Sequence, residues 1–121
     1  MKVLLVALGG ALGSVARYGV GELARRFVPG FPWGTLAVNV IGGVLMGLVA
    51  GRLAEAPQED LRVFAAVGVL GGFTTFSAFS LESAQFIQRR ELGLAAGYVG
   101  SSVALSIAAI FVGLFLARAG R

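Results

Sequence analysis

Four apolar stretches, each near the length that crosses a lipid bilayer, take up almost all of this 121-residue chain. They cover residues 3–20, 33–51, 63–87 and 92–116. A helix rises about 1.5 Å per residue, so some 20 residues cross a hydrocarbon layer of roughly 30 Å. Charged residues make up 13% of the chain and hydrophobic ones 57%, where soluble domains carry about 25% charge. A soluble chain of this size buries only about two-thirds of its unfolded surface and cannot hide such an excess. The sequence therefore predicts an all-α integral membrane protein, a single four-helix transmembrane domain over residues 1–121. Lys2, the run 3–8 and Ser14-Val15-Ala16 have some features of a cleaved secretory signal. The rest of the chain is itself membrane-spanning, however, and a retained first span fits it better.

Cysteine and histidine are both absent. Disulfides, thiol nucleophiles, zinc-thiolate sites and imidazole bases are thereby excluded, and no nucleophile–base pair supports an enzyme. The net charge is +4, but the ten basic residues lie scattered at segment ends. That distribution suits headgroup anchoring better than nucleic-acid binding.

Arg25, Arg26, Pro29, Gly30 and Pro32 mark the first connector as an interfacial loop, with Trp33 as an interface aromatic beyond it. The second connector, residues 52–62, is the most highly charged, with Glu55, Glu59 and Asp60 beside Arg52 and Arg62. An even number of spans places Lys2, Arg52, Arg62, Arg118 and Arg121 on one side of the membrane. Arg17, Arg25, Arg26, Arg89 and Arg90 fall on the other. The positive-inside rule needs an excess and finds almost none. Either Arg17 belongs within the bundle and leaves a small bias, or the chain inserts both ways up and pairs head to tail. The near-zero excess accords better with the second reading.

A continuous helix over residues 63–87 would be roughly 37 Å long, longer than the hydrocarbon layer. Its middle, Gly71-Gly72-Phe73-Thr74-Thr75-Phe76-Ser77, forms helix poorly, which predicts an interruption near residues 71–76 rather than a steep tilt. In the second span Thr35, Asn39, Gly43, Gly47 and Gly51 recur every four residues and share one stripe. Its glycines suit close helix packing, as do the pairs Gly9/Gly13, Gly68/Gly72 and Gly93/Gly97. Asn39 is either interhelical glue or a donor to a ligand, and glue is the commoner fate of such an amide. Tyr98, Ser102 and Ser106 share a face of the fourth span, with hydroxyls that either bond one turn back or form a ladder of neutral donors. Phe76 and Phe79 either pack in the core or turn their partly positive ring edges toward a small anion. Arg17 either snorkels or works inside the bundle, and Glu82 is an intramembrane carboxylate and a functional candidate by default.

Taken together these residues resemble the fluoride channels of the Fluc/CrcB type. The resemblance covers essentially the whole chain. It rests on Gly9-Gly10 through Gly13 to Arg17-Tyr18, on residues 34–39 followed by Gly42 and Gly47, and on residues 71–80 with Glu82. The resemblance implies an antiparallel, dual-topology homodimer in the cytoplasmic (inner) membrane of a prokaryote, relieving fluoride toxicity by passive export. It further implies that Asn39, Phe76 and Phe79 coordinate fluoride, with Thr35 and Ser77 nearby and Tyr98, Ser102 and Ser106 as a polar track. A structural sodium ion would sit at the break of the third helix on the backbone carbonyls of Gly71 and Thr74 from both subunits. Arg17 resembles a vestibule or structural arginine of the family. Many relatives carry threonine where this chain has Ala78, which removes a hydroxyl there but leaves both phenylalanines in register.

Two rivals fit less well. A small proton-coupled multidrug exporter needs a titratable carboxylate deep in the first span, which has no acid before Glu22. A purely structural membrane assembly protein explains the glycines, but not Thr35, Asn39, Tyr98, Ser102 and Ser106.

Overall fold

The computed structural model describes residues 1–54 and 58–120. Glu55 of the second connector and Arg121 beyond the fourth span lie outside the described residues. The helices are α1 (Lys2–Phe27), α2 (Trp33–Arg52), α3 (residues 59–73), α4 (Ser77–Gln88) and α5 (Leu92–Ala119). Among the described residues there is no strand. Four helical segments, with Glu59–Gln88 as the third, are long and apolar enough to cross a membrane. The chain is an all-α, multi-pass membrane protein.

The helix α1 runs through Arg25 and Arg26 to Phe27, well past the last residue of its apolar stretch. In its final turn the two arginines lie beside the last helical carbonyls, where a cation is favourable. Gly30, at φ +99°, turns the chain back in a conformation that glycine adopts without steric cost. Between Gln88 and Leu92 the turn is tight: Glu91 N–H donates to Phe86 O at 2.9 Å, and Arg90 takes φ +61°.

Two close helix pairs organise the bundle, α1 with α3 and α2 with α5. Both rest on glycine. A methyl group placed on Gly9 would lie 2.7 Å from Phe64 O, and one on Gly72 would lie 2.6 Å from Gly10 O. On Gly43 it would meet Ser106 O at 2.9 Å, and on Gly47 it would meet Leu114 N at 2.8 Å. Small residues let the backbones approach, and dispersion between them replaces the hydrophobic drive that lipid cannot supply. The pair Gly93/Gly97 differs. Among the described residues no atom outside their own helix backbone comes within 4 Å of either Cβ position.

Residues Val63–Leu70 of α3 wind as a π-helix, a rare form often found near functional sites. Nothing in the composition of this segment signals it. Gly71 and Gly72 remain helical. The helix ends only at Thr74, which is extended at φ −83° and ψ 158°, and α4 begins at Ser77. Gly72 serves the contact with α1, whereas the hydroxyl residues after it lie where the backbone leaves the helix.

Replacing Gly47 by alanine should destabilise the protein by about 1–3 kcal/mol, the usual scale of overpacking. Gly19→Ala, where the Cβ position is open, should stay within about 0.5 kcal/mol of the parent, as surface changes do. Chemical unfolding in detergent micelles measures both.

Candidate functional site

The break in the third span is bonded mainly by side chains. Asn39 on α2 holds both backbone groups of Thr75: its Nδ2 donates to Thr75 O at 3.0 Å, and Thr75 N donates to its Oδ1 at 2.9 Å. The amide does for Thr75 what the helical turns before and after it would otherwise do. Asn39 is therefore interhelical glue, although the second hydrogen of Nδ2 remains a donor. Thr75 Oγ1 accepts from Ala78 N at 3.1 Å and lies 3.3 Å from Ser77 Oγ, which caps the start of α4. From the other side Arg17 Nε donates to Gly72 O at 3.1 Å. Arg17 thus turns inward rather than snorkelling. Glu22, the nearest acid in sequence, pairs with Arg25.

These bonds have a consequence for the carbonyls. In an unbroken helix Gly71 O accepts from Thr75 N, and Thr74 O from Ala78 N. Here those two amides donate to the side chains of Asn39 and Thr75. The Gly71 and Thr74 carbonyls are thereby released from the helical ladder. No group of three or more acidic, imidazole or thiol side chains comes together among the described residues.

Glu82 joins three helices. Thr35 Oγ1 donates to Glu82 Oε2 at 3.0 Å, and the Tyr98 hydroxyl donates to Glu82 Oε1 at 2.9 Å. Tyr98 is fully buried. Its ring lies 5.3 Å from that of Phe79 and 5.4 Å, edge to face, from that of Phe31. Phe79 in turn lies 5.6 Å from Phe76. A chain of rings thus runs from the first connector to the break.

Two cavities flank this framework. The larger, about 390 Å³, is lined by Asn39, Thr74, Phe76, Phe79, Ser102 and Ser106, with Met46 in its apolar wall. Phe79 is buried, while Phe76 is 78% exposed and borders the cavity on its open side. The hydroxyl of Ser102 is buried against this space and has no hydrogen-bond partner among the described residues. Such a group costs about 1–3 kcal/mol if it stays unbonded. The smaller cavity, about 210 Å³, is lined by Arg17, Thr35, Ala78 and Glu82 beneath Phe31.

The sequence-derived candidates are therefore divided. Asn39, Phe76, Phe79, Ser102 and Ser106 meet in one cavity, and Thr35, Glu82 and Arg17 in the other. Tyr98 borders neither; it ties Glu82 to α5. Ser77 and Gly71 are exposed and line neither cavity. Two contributors escape a reading of the sequence. Thr75 is detectable as a hydroxyl residue just before a helix start. Phe31 carries no such signal, because only the returning connector brings it against Tyr98.

Four apolar spans around a buried polar seam define a multi-pass integral membrane protein of small size. The chain belongs to the CrcB family, described as CrcB-like protein, camphor resistance, which it matches over residues 4–114. It is 58% identical over 121 residues to a protein of Caulobacter vibrioides named fluoride-specific ion channel FluC, covering 97% of this chain and 95% of that one. A protein of the same name from Phenylobacterium zucineum is 57% identical over 120 residues, covering 96% and 94%. Another, from Agrobacterium fabrum, is 50% identical over 121 residues, covering 98% and 97%.

Asn39→Leu should remove both bonds to Thr75 and lower stability by at least about 2 kcal/mol, because two backbone groups lose their partner. Asn39→Asp, which keeps the acceptor and loses the donor, should fall between. Thermal unfolding in micelles distinguishes the three proteins.

Proposed function

We propose that this chain is the subunit of a fluoride-specific ion channel rather than an enzyme, giving passive fluoride exit across the cytoplasmic membrane of a bacterium. The names of its relatives support the ion. The observation that carries the pathway is the cavity shared by Asn39, Phe76, Phe79, Ser102 and Ser106, with an unbonded hydroxyl facing it. A small, strongly hydrated anion gives up water only where donors replace it. Ser102, Ser106 and the spare hydrogen of the Asn39 amide supply donors, and the rings of Phe76 and Phe79 offer partly positive edges. The only lysine is Lys2, at the chain end, so no ammonium holds the ion in the seam. Affinity strong enough for entry and weak enough for exit is what conduction requires. On this reading Tyr98 belongs to the polar track with Ser102 and Ser106, its own hydroxyl hydrogen being given to Glu82, and Thr35 and Ser77 stand near the coordinating residues.

The assembly is an antiparallel, dual-topology homodimer. The balance of basic residues between the two sides supports it, as does Phe76, whose exposure leaves a large ring and an open cavity for a second copy to cover. The interruption between α3 and α4 supplies the cation site. The released carbonyls of Gly71 and Thr74 are hard oxygen donors, and they suit sodium as unwound segments do in other transporters. When bound, sodium would contribute a fixed positive potential that favours an anion nearby.

In liposomes loaded with fluoride, the reconstituted protein should give rapid efflux at a fluoride electrode and far slower chloride loss. Equal chloride loss, or none of either, would remove the proposal. Phe76→Ile and Phe79→Ile should each slow fluoride efflux by about tenfold, the scale of one lost ring interaction. Unchanged rates would reduce the rings to packing. Exchanging sodium for a large organic cation should lower both efflux and thermal stability, since an ion bound only by the folded state stabilises it; insensitivity of both would sink the sodium site.

A further inference from the structure

The bond from Arg17 to Gly72 has a function beyond local packing. In a continuous helix Gly72 O would accept from Phe76 N–H, the rung directly after the one that joins Gly71 to Thr75. Those two rungs are where α3 fails to continue into α4. Asn39 occupies the Thr75 N–H of the first rung, and Arg17 occupies the Gly72 carbonyl of the second. The two side chains come from different helices and act on opposite ends of adjacent rungs. Asn39 takes the donor of the first rung outright, and Arg17 draws on the acceptor of the second, which lowers its pull on the Phe76 N–H.

We propose that Arg17 is a positioning residue that holds the third span open at Gly72 and decides which carbonyls remain for a cation. A guanidinium keeps its charge at any physiological pH and has donors but no acceptor. It therefore competes with a backbone amide for a carbonyl without itself needing a partner in return, and its charge is favourable at the C-terminal end of α3. By engaging Gly72 O it sets that carbonyl apart from Gly71 O and Thr74 O, which Asn39 and Thr75 release. Without it, Phe76 N–H is free to close on Gly72 O, and the ring of Phe76 leaves the cavity as the helix rewinds. The part concerning the cation rests on the sodium site proposed above; the part concerning the open helix does not.

The test places spin labels at Val67 and Leu81, both more than half exposed, and measures their separation by pulsed electron resonance in dimers diluted with unlabelled protein. Arg17→Leu should shift or broaden the distance distribution, and Arg17→Lys, which keeps the charge and a donor, should preserve it. Arg17→Gln, neutral and shorter, covers the case in which the leucine variant does not fold and should show a smaller shift. Fluoride efflux should fall by about tenfold or more in Arg17→Leu and by less than about threefold in Arg17→Lys, as expected when a charge-assisted bond is lost or kept. The sodium concentration that half-maximally raises the melting temperature should rise by about tenfold in Arg17→Leu, the same energetic scale. A parental distance distribution in every variant that folds would overturn the proposal. If the parent itself shows no sodium-dependent stabilisation, the cation site fails, and the distance distributions still decide the role of Arg17.

Discussion

A backbone amide or carbonyl at membrane depth has no water to bond, and every other feature of this molecule follows from how its third span meets that demand. Ending a helix in hydrocarbon strands several polar groups, each costing several kcal/mol when unpartnered. Here the strands of that debt are met by three side chains: Asn39 on Thr75, Thr75 on Ala78, and Arg17 on Gly72. Asn39 and Arg17 come from other helices, so the break exists only as a property of the assembled bundle. An isolated third span would be expected to rewind.

Glycine sets the distances that make those bonds possible. Gly9, Gly13, Gly68 and Gly72 bring α1 and α3 so close that Arg17 reaches across to a main-chain oxygen. Gly43, Gly47 and Gly51 draw α2 onto α5 in the same way, and this places Asn39 and Ser106 around one space. Where the helices are separated by aromatic rings instead, the packing is looser and cavities remain. The polar seam thus lies between two tight glycine contacts, with Phe31, Tyr98, Phe79 and Phe76 running along it.

Much of this could be read from the chain because membrane helices obey strong local rules. The apolar stretches, the glycine spacing and the conspicuous amide of Asn39 are all one-dimensional signals. Other features were misread or invisible, for identifiable reasons. Gly71 and Gly72 read as helix breakers, yet both remain helical, and Gly72 packs closely on α1. Gly93 and Gly97 share the same spacing, but their Cβ positions meet no other helix among the described residues. Tyr98 falls in register with Ser102 and Ser106, yet its longer side chain reaches Glu82 while the serines face the larger cavity. Spacing specifies a face, and side-chain length together with the neighbouring helix specifies what that face meets.

The sequence by itself determined that this chain lives in a bilayer, how its apolar length divides into spans, and that its polar groups there are mostly uncharged. Those properties follow from composition and periodicity, which transfer free energies translate directly into burial in lipid. Only the tertiary structure decided that Asn39 grips both sides of Thr75, that Arg17 turns inward to Gly72, and that Glu82 binds hydroxyls from two other helices. Those partners lie 16 to 55 residues apart in the chain, and no local rule links them, because a hydrogen bond depends on where two helices cross rather than on what precedes either residue.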